Sequence, residues 1–334
     1  MRIAIDAMGG DYAPVQIIRG AIEGLAYLGA DDEVVLLGRE DDIRVHLPPD
    51  ESIRGSMSIR HCPEVIEMDD SPVEALRQKK NSSILMMAKL AAEGEVDAVI
   101  SAGNTGACAA ACQLKMRTLG AVQRPGIAVV IPSFSGPLTI CDVGANVAPK
   151  PFHLLQYAQM ASAYAETILK IHKPRVGLLS IGSEDVKGNP LVKQTRELIK
   201  GDPSLNFVGN VEGRDLFAGA CEVAICDGFV GNVVLKLTEG LAEGLFKTIK
   251  REIAAERPDL AAQFDPVVKT IWAKHDYSEY GGAPLLGVDG VCIICHGSSD
   301  HRAIKNAVRV AAELVRSRLN HVLVDRLSEE PAHA

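Results

Sequence analysis

Aromatic side chains are scarce in this chain: one Trp, six Tyr and seven Phe make up 4% of its 334 residues. A core must then be filled by Ala, Val, Ile and Leu, which suits parallel strands buried on both faces under helices. Excess positive charge is missing too. The formal charge of −8 excludes the basic footprint of a nonspecific nucleic-acid binder. No apolar run reaches the eighteen or so residues of a spanning helix. Because Met1-Arg2-Ile3-Ala4-Ile5 reads at once as a strand, no signal peptide is expected. The common phosphate and nucleophile motifs, G-x-G-x-x-G, G-x-x-x-x-G-K-[ST] and G-x-S-x-G, are absent. Low-complexity linkers and fixed-period repeats are also absent, so residues 1–334 are read as a single α/β domain.

Cysteine is present but unpatterned. The eight cysteines mostly fall in apolar runs, as reduced thiols serving as small hydrophobes would. Cys292-Ile293-Ile294-Cys295-His296 matches a haem-attachment pattern. It sits in an apolar strand, which turns the two thiols to opposite faces, so neither haem nor zinc is expected. Cys108 and Cys112, at helical spacing among alanines, read as core.

What the chain does have is a rhythm. Seven apolar, β-branched runs each end in a loop of Gly, Asp, Asn and Ser: Asp6 to Asp11, Gly38 to Glu40, Ser101 to Gly106, Cys141 to Asn146, Ser180 to Asp185, Cys226 to Asn232 and Cys295 to Asp300. Most lead into helical periodicity, expected at about 14–28, 83–93, 104–117, 151–170, 189–199 and 230–256, and from about 300 to Leu327. This is the pattern of βα units stacked as a three-layer αβα sandwich with a mostly parallel sheet. In such sheets ligands sit beyond the carboxyl ends of the strands, where Gly-rich backbone and helix N-termini attract anions. Pro258 breaks the helix over 230–256 and a second helix follows to about 275, so 230–275 reads as a projecting helical hairpin.

The candidate site residues are polar groups that a packed core would not choose. Asn104, in Gly103-Asn104-Thr105-Gly106, suits a helix cap and a ligand donor equally. Asn81 follows Lys79-Lys80 at a helix start. Lys187, beside Gly188, suits an anion clamp. Asn232 opens a helix after Gly228 and Gly231. His296, before Gly297-Ser298-Ser299, either donates a proton or holds its loop. Arg302, Lys305, Arg309 and Arg316 share one helix face, which reads as a solvated stripe or as a docking strip for an acidic partner. Leu237, Leu241, Leu245 and Ile249 recur at i,i+4 on the hairpin, as packing or as weak attachment to a membrane surface.

Taken in order, eight strings closely resemble the phosphate acyltransferase family PlsX. They are Ile5 to Asp11, Lys80 to Ser83, Ser101 to Ala107, Asp142 to Asn146, Glu184 to Asn189, Asp227 to Asn232, Tyr280 to Gly287 and His296 to Ser299. The resemblance implies the fold shared by phosphotransacetylases and by isocitrate and isopropylmalate dehydrogenases. It implies transfer of a long-chain fatty acyl group from acyl carrier protein to inorganic phosphate, giving acyl phosphate for phospholipid synthesis. It also implies a cytoplasmic homodimer in weak peripheral contact with the membrane, needing no metal or organic cofactor.

On that reading Lys187 binds phosphate and the developing charge, Asn232 orients the thioester or stabilises the oxyanion, and His296 protonates the leaving thiolate. Asn81, Gly103, Asn104, Thr105, Gly106, Gly297, Ser298 and Ser299 cradle phosphate or pantetheine, while Asp6, Asp142 and Asp227 orient loops. Three other readings compete. A phosphotransacetylase-like enzyme would use coenzyme A, a dehydrogenase would need an Asp-rich metal site and a dinucleotide loop, and a noncatalytic scaffold would not need an anion site.

Overall fold

Apolar residues fall on both sides of each central strand, and the molecule is layered accordingly. The computed structural model describes residues 1–50, 53, 55–256, 258–275 and 280–328. Among these residues eleven strands form one sheet: β1 Arg2–Asp6, β2 Glu33–Gly38, β3 Met57–His61, β4 Ala98–Ser101, β5 Gly126–Ser133, β6 Gly136–Cys141, β7 Arg175–Leu179, β8 Asn206–Val211, β9 Val223–Ile225, β10 Ala283–Leu286 and β11 Val291–Ile294. Ile3 and Ile5 of β1 join one core, with Ile17, Tyr157 and Ile304. Ala4, between them, joins the other, with Ile84 and Cys112. Helices therefore cover both faces, as expected for the αβα sandwich.

Among the described residues the α-helices are α1 Val15–Gly24, α2 Glu40–Arg44, α3 Pro72–Gln78, α4 Ser83–Ala92, α5 Thr105–Lys115, α6 Pro151–Thr167, α7 Pro190–Lys200, α8 Gly228–Glu256, α9 Pro258–His275, α10 His301–Ser317 and α11 Leu319–Ser328. All seven strands read from the sequence are present, and so are the long helices. The expected continuous C-terminal helix is instead two, because Arg318 takes a left-handed backbone (φ +52°). Close approach joins α1 to α10: a Cβ at Gly20 would lie 2.6 Å from the His301 carbonyl oxygen.

The strand order is β3-β2-β1-β4-β11-β10-β5-β6-β9-β7-β8. β1 to β4 and β11 are parallel, and so are β6 to β9. Between the two blocks β10 and β5 make three antiparallel pairings. Three reversals leave the blocks pointing in opposite directions. The seven Gly- and Asp-rich loops therefore gather at two edges, not one: those after β1, β2, β4 and β11 at the first, those after β6, β7 and β9 at the second.

Candidate active site

A cavity of about 360 Å³ lies between the two edges. The first block supplies Thr105 and Gly106 at the start of α5, and His296, Gly297 and Ser299 after β11. The second supplies Val143 and Gly144 after β6. Helix α8 spans the gap, presenting Asn232, Leu235, Lys236 and Glu239. These positions are i, i+3, i+4 and i+7, one helical face. Ile127, Val129, Val130 and Ile294 add an apolar wall. An apolar hollow with a few convergent polar groups is the usual form of a small-molecule site.

The polar end centres on His296 and Lys236. The Lys236 ammonium donates to His296 Nε2 and to Glu239 Oε2 at 3.0 Å. His296 Nδ1 lies 2.7 Å from Ser298 Oγ and 3.2 Å from the Ser298 backbone nitrogen. Burial, and then the Lys236 ammonium, push the imidazole below its ordinary range. Both ring nitrogens of His296 are therefore engaged, Nε2 by Lys236 and Nδ1 by the Ser298 loop.

The loops beneath are held by three carboxylates, two of them buried. Asp6 accepts from Ser101 Oγ at 2.8 Å and from the Met8 N–H at 3.2 Å, and burial raises its pKa. Asp142, fully buried, accepts backbone N–H bonds from Ile127 at 3.0 Å, Ala145 at 3.1 Å and Asn146 at 2.7 Å. Burial still pushes it up to about 6. Asp227 Oδ1 accepts from the Val230 N–H at 2.9 Å in the first turn of α8. A Cβ at Gly231 would stand 2.0 Å from the Asp142 carbonyl oxygen, so only glycine lets α8 start this close to the β6 loop.

Several sequence candidates turn away from the cavity. Asn104 Oδ1 caps α5 through the Ala107 N–H at 3.0 Å, while Nδ2 donates to the carbonyls of Glu67, Met68 and Asp70 at 3.3, 3.2 and 3.0 Å. With its side-chain amide engaged in this way, Asn104 clamps a loop. The Gly103 N–H is spent on Ser101 Oγ at 3.0 Å. Asn81 is exposed, its N–H bonded to Glu64 Oε2 at 2.6 Å. Ser298 holds the imidazole. Lys187 is exposed on the loop after β7, at the same edge as Asp142 and Asn232 but outside the cavity lining.

Among the described residues the cation lining the cavity is Lys236, which the sequence reading passed over together with Glu239. Their spacing from Asn232 carried the signal. It was masked by the leucines of the same helix.

Cys108, Cys112 and Cys292 offer three sulfurs within 4.8 Å of one another. All three are buried in one apolar core, while Cys295 joins the opposite one. A structural zinc takes four ligands. The set supplies three and reads as thiol packing.

A family model described as "Fatty acid synthesis protein" matches residues 1–322. A phosphate acyltransferase of Desulfitobacterium hafniense is 50% identical over 320 residues, 95% of each chain. One of Pelotomaculum thermopropionicum is 49% identical over 326 residues, 96% of this chain and 93% of the relative. Among solved structures, a phosphotransacetylase from Streptococcus pyogenes is similar in fold, with a TM-score of 0.63 at 18% identity over 95% of this chain and 94% of that one.

Proposed function

The chain belongs to the fatty acid synthesis protein family, whose curated relatives are phosphate acyltransferases, and from that premise we infer which residues carry the reaction. The protein is an acyltransferase that moves an acyl group onto phosphate for phospholipid synthesis. The donor in this reading is a long-chain acyl-acyl carrier protein. An unprotonated phosphate oxygen attacks the thioester carbon, a C–O bond forms, and the C–S bond breaks with its electron pair leaving on sulfur. Hydrogen phosphate brings one proton and the thiol carries one away, so the reaction balances without another acid or base.

One observation carries the assignment: a single cavity joins a lysine, an asparagine and the N-terminus of a helix to an apolar wall. Lys236 and the first turn of α5 hold phosphate. Asn232 orients the thioester carbonyl, and His296 fixes the Lys236 ammonium through Nε2. Gly297 and Ser299 complete the cradle. Lys187, on the loop next to Asn232's edge, serves as a second cation at the mouth. The acyl chain follows α8 outward, where Leu237, Leu241 and Leu245 are 68%, 67% and 56% exposed. A homodimer and peripheral membrane contact fit these exposed leucines, and no described helix is long and apolar enough to cross a membrane. The continuous sheet supports reading the chain as one domain.

The test is acyl phosphate formation from palmitoyl-acyl carrier protein and phosphate, with palmitoyl-coenzyme A alongside. Lys236→Gln is expected to lower turnover by about 10²–10³-fold, as loss of a charged transition-state donor does, and Lys187→Ala to lower it also. Full turnover in both variants would move the phosphate site elsewhere. Preference for coenzyme A would favour the short-chain phosphotransacetylase reading.

A further inference from the structure

Glu239 runs against the electrostatics of the site around it. It stands nearly one turn beyond Lys236 on α8 and lines the same cavity. Its Oε2 is bonded to the lysine, while Oε1 is buried and has no donor among the described residues. A buried carboxylate oxygen without a donor costs free energy, and a carboxylate beside an anion adds repulsion. One kind of anion satisfies the orphaned oxygen and offsets the repulsion: a tetrahedral oxyanion that still carries a proton. Hydrogen phosphate has one P–OH at neutral pH. Sulfate has only acceptors.

We propose that Glu239 selects the acceptor anion: Oε1 accepts a hydrogen bond from the P–OH of hydrogen phosphate while Lys236 holds an unprotonated oxygen. This rests on the cavity being the phosphate site and deepens that reading. It also orients the nucleophile. With the hydroxyl turned to Glu239, the three unprotonated oxygens face Lys236, the α5 N-terminus and the thioester. Asp11, the other carboxylate lining the cavity, is exposed. Water solvates it whichever anion is bound, so it does not discriminate.

The experiment measures turnover of palmitoyl-acyl carrier protein against phosphate, with sulfate as competitor, in the full chain. The readout is the ratio of the sulfate Ki to the phosphate KM. Glu239→Gln is expected to lower that ratio by about 10- to 100-fold, the worth of one hydrogen bond to a charged group. Glu239→Asp, which keeps the carboxylate, is expected to restore most of it. An unchanged ratio in Glu239→Gln overturns the proposal, as does an equal loss in Glu239→Asp. Lys236→Gln separates the two levels of inference. If it raises the phosphate KM while Glu239→Gln leaves the ratio alone, only the role of Glu239 falls. If it leaves the phosphate KM unchanged, the cavity assignment falls and Glu239 with it. Should Glu239→Gln fail to fold, the wild type decides: direct titration showing sulfate bound as tightly as phosphate overturns the proposal.

Discussion

Two buried polar side chains set the behaviour of the loops under the site. Asp142 has a folded pKa of about 6 against an ordinary 3.8, because desolvation outweighs three backbone donors. Folding therefore favours its protonated form. That contribution is complete below about pH 4, lost as pH rises through 6, and worth about 3 kcal/mol for a shift of about two units. Carboxyl NMR of the folded protein should show a midpoint near 6 for this residue, and a midpoint near 4 would contradict it. Asn104 should prove structural: Asn104→Ala removes a helix cap and the clamp on residues 67–70, costing about 1–2 kcal/mol. Thermal melting should register that loss while the phosphate KM stays within a few-fold. The sequence displayed Asn104 and Lys187 as candidates because both sit in Gly-rich loops. It could not reveal that one amide is saturated by carbonyls 34 to 37 residues away.

At the scale of elements, α8 unites chemistry and specificity. Its first turns carry Asn232, Lys236 and Glu239 into the cavity, and its later turns expose a leucine stripe. If the stripe guides the acyl chain, Leu241→Asp should reduce turnover of a sixteen-carbon donor about 10-fold more than that of a four-carbon one, at about 0.8 kcal/mol per methylene withdrawn from water. Equal loss for both donors would remove the groove. The basic stripe is largely occupied by its own fold: Arg309 pairs with Glu313 at 3.1 Å, Arg316 donates to the Tyr27 carbonyl at 3.0 Å, and Lys305 lies over the Tyr27 ring. The strands that escaped the sequence reading did so for two reasons. β3 and β8 lie at the edges of the sheet and mix in polar residues such as Arg60, Asn206 and Asn210, while β5 and β10 contain Pro132 and Pro284. Weak alternation and proline both obscure a strand.

The whole molecule is two parallel blocks set head to tail. A uniformly parallel sheet would have gathered all seven loops on one edge, and the sequence rhythm implies that arrangement. β5 and β10 prevent it. Their reversals place the His296 loop and the Asn232 end of α8 on opposite edges, and the cavity forms where α8 crosses from one to the other. That crossing explains why the polar lining draws on residues as far apart in sequence as Thr105, Gly144, Lys236 and His296.

By itself the sequence determined the layered α/β class, the seven strand–loop units, the hairpin and the family, because these depend on local periodicity and on strings of adjacent residues. Only the tertiary structure decided which loops meet, which polar groups are already satisfied, and that Lys236 and Glu239 share a cavity with His296. Those facts depend on strand direction and on hydrogen bonds between distant segments, and neither leaves a local signature in the chain.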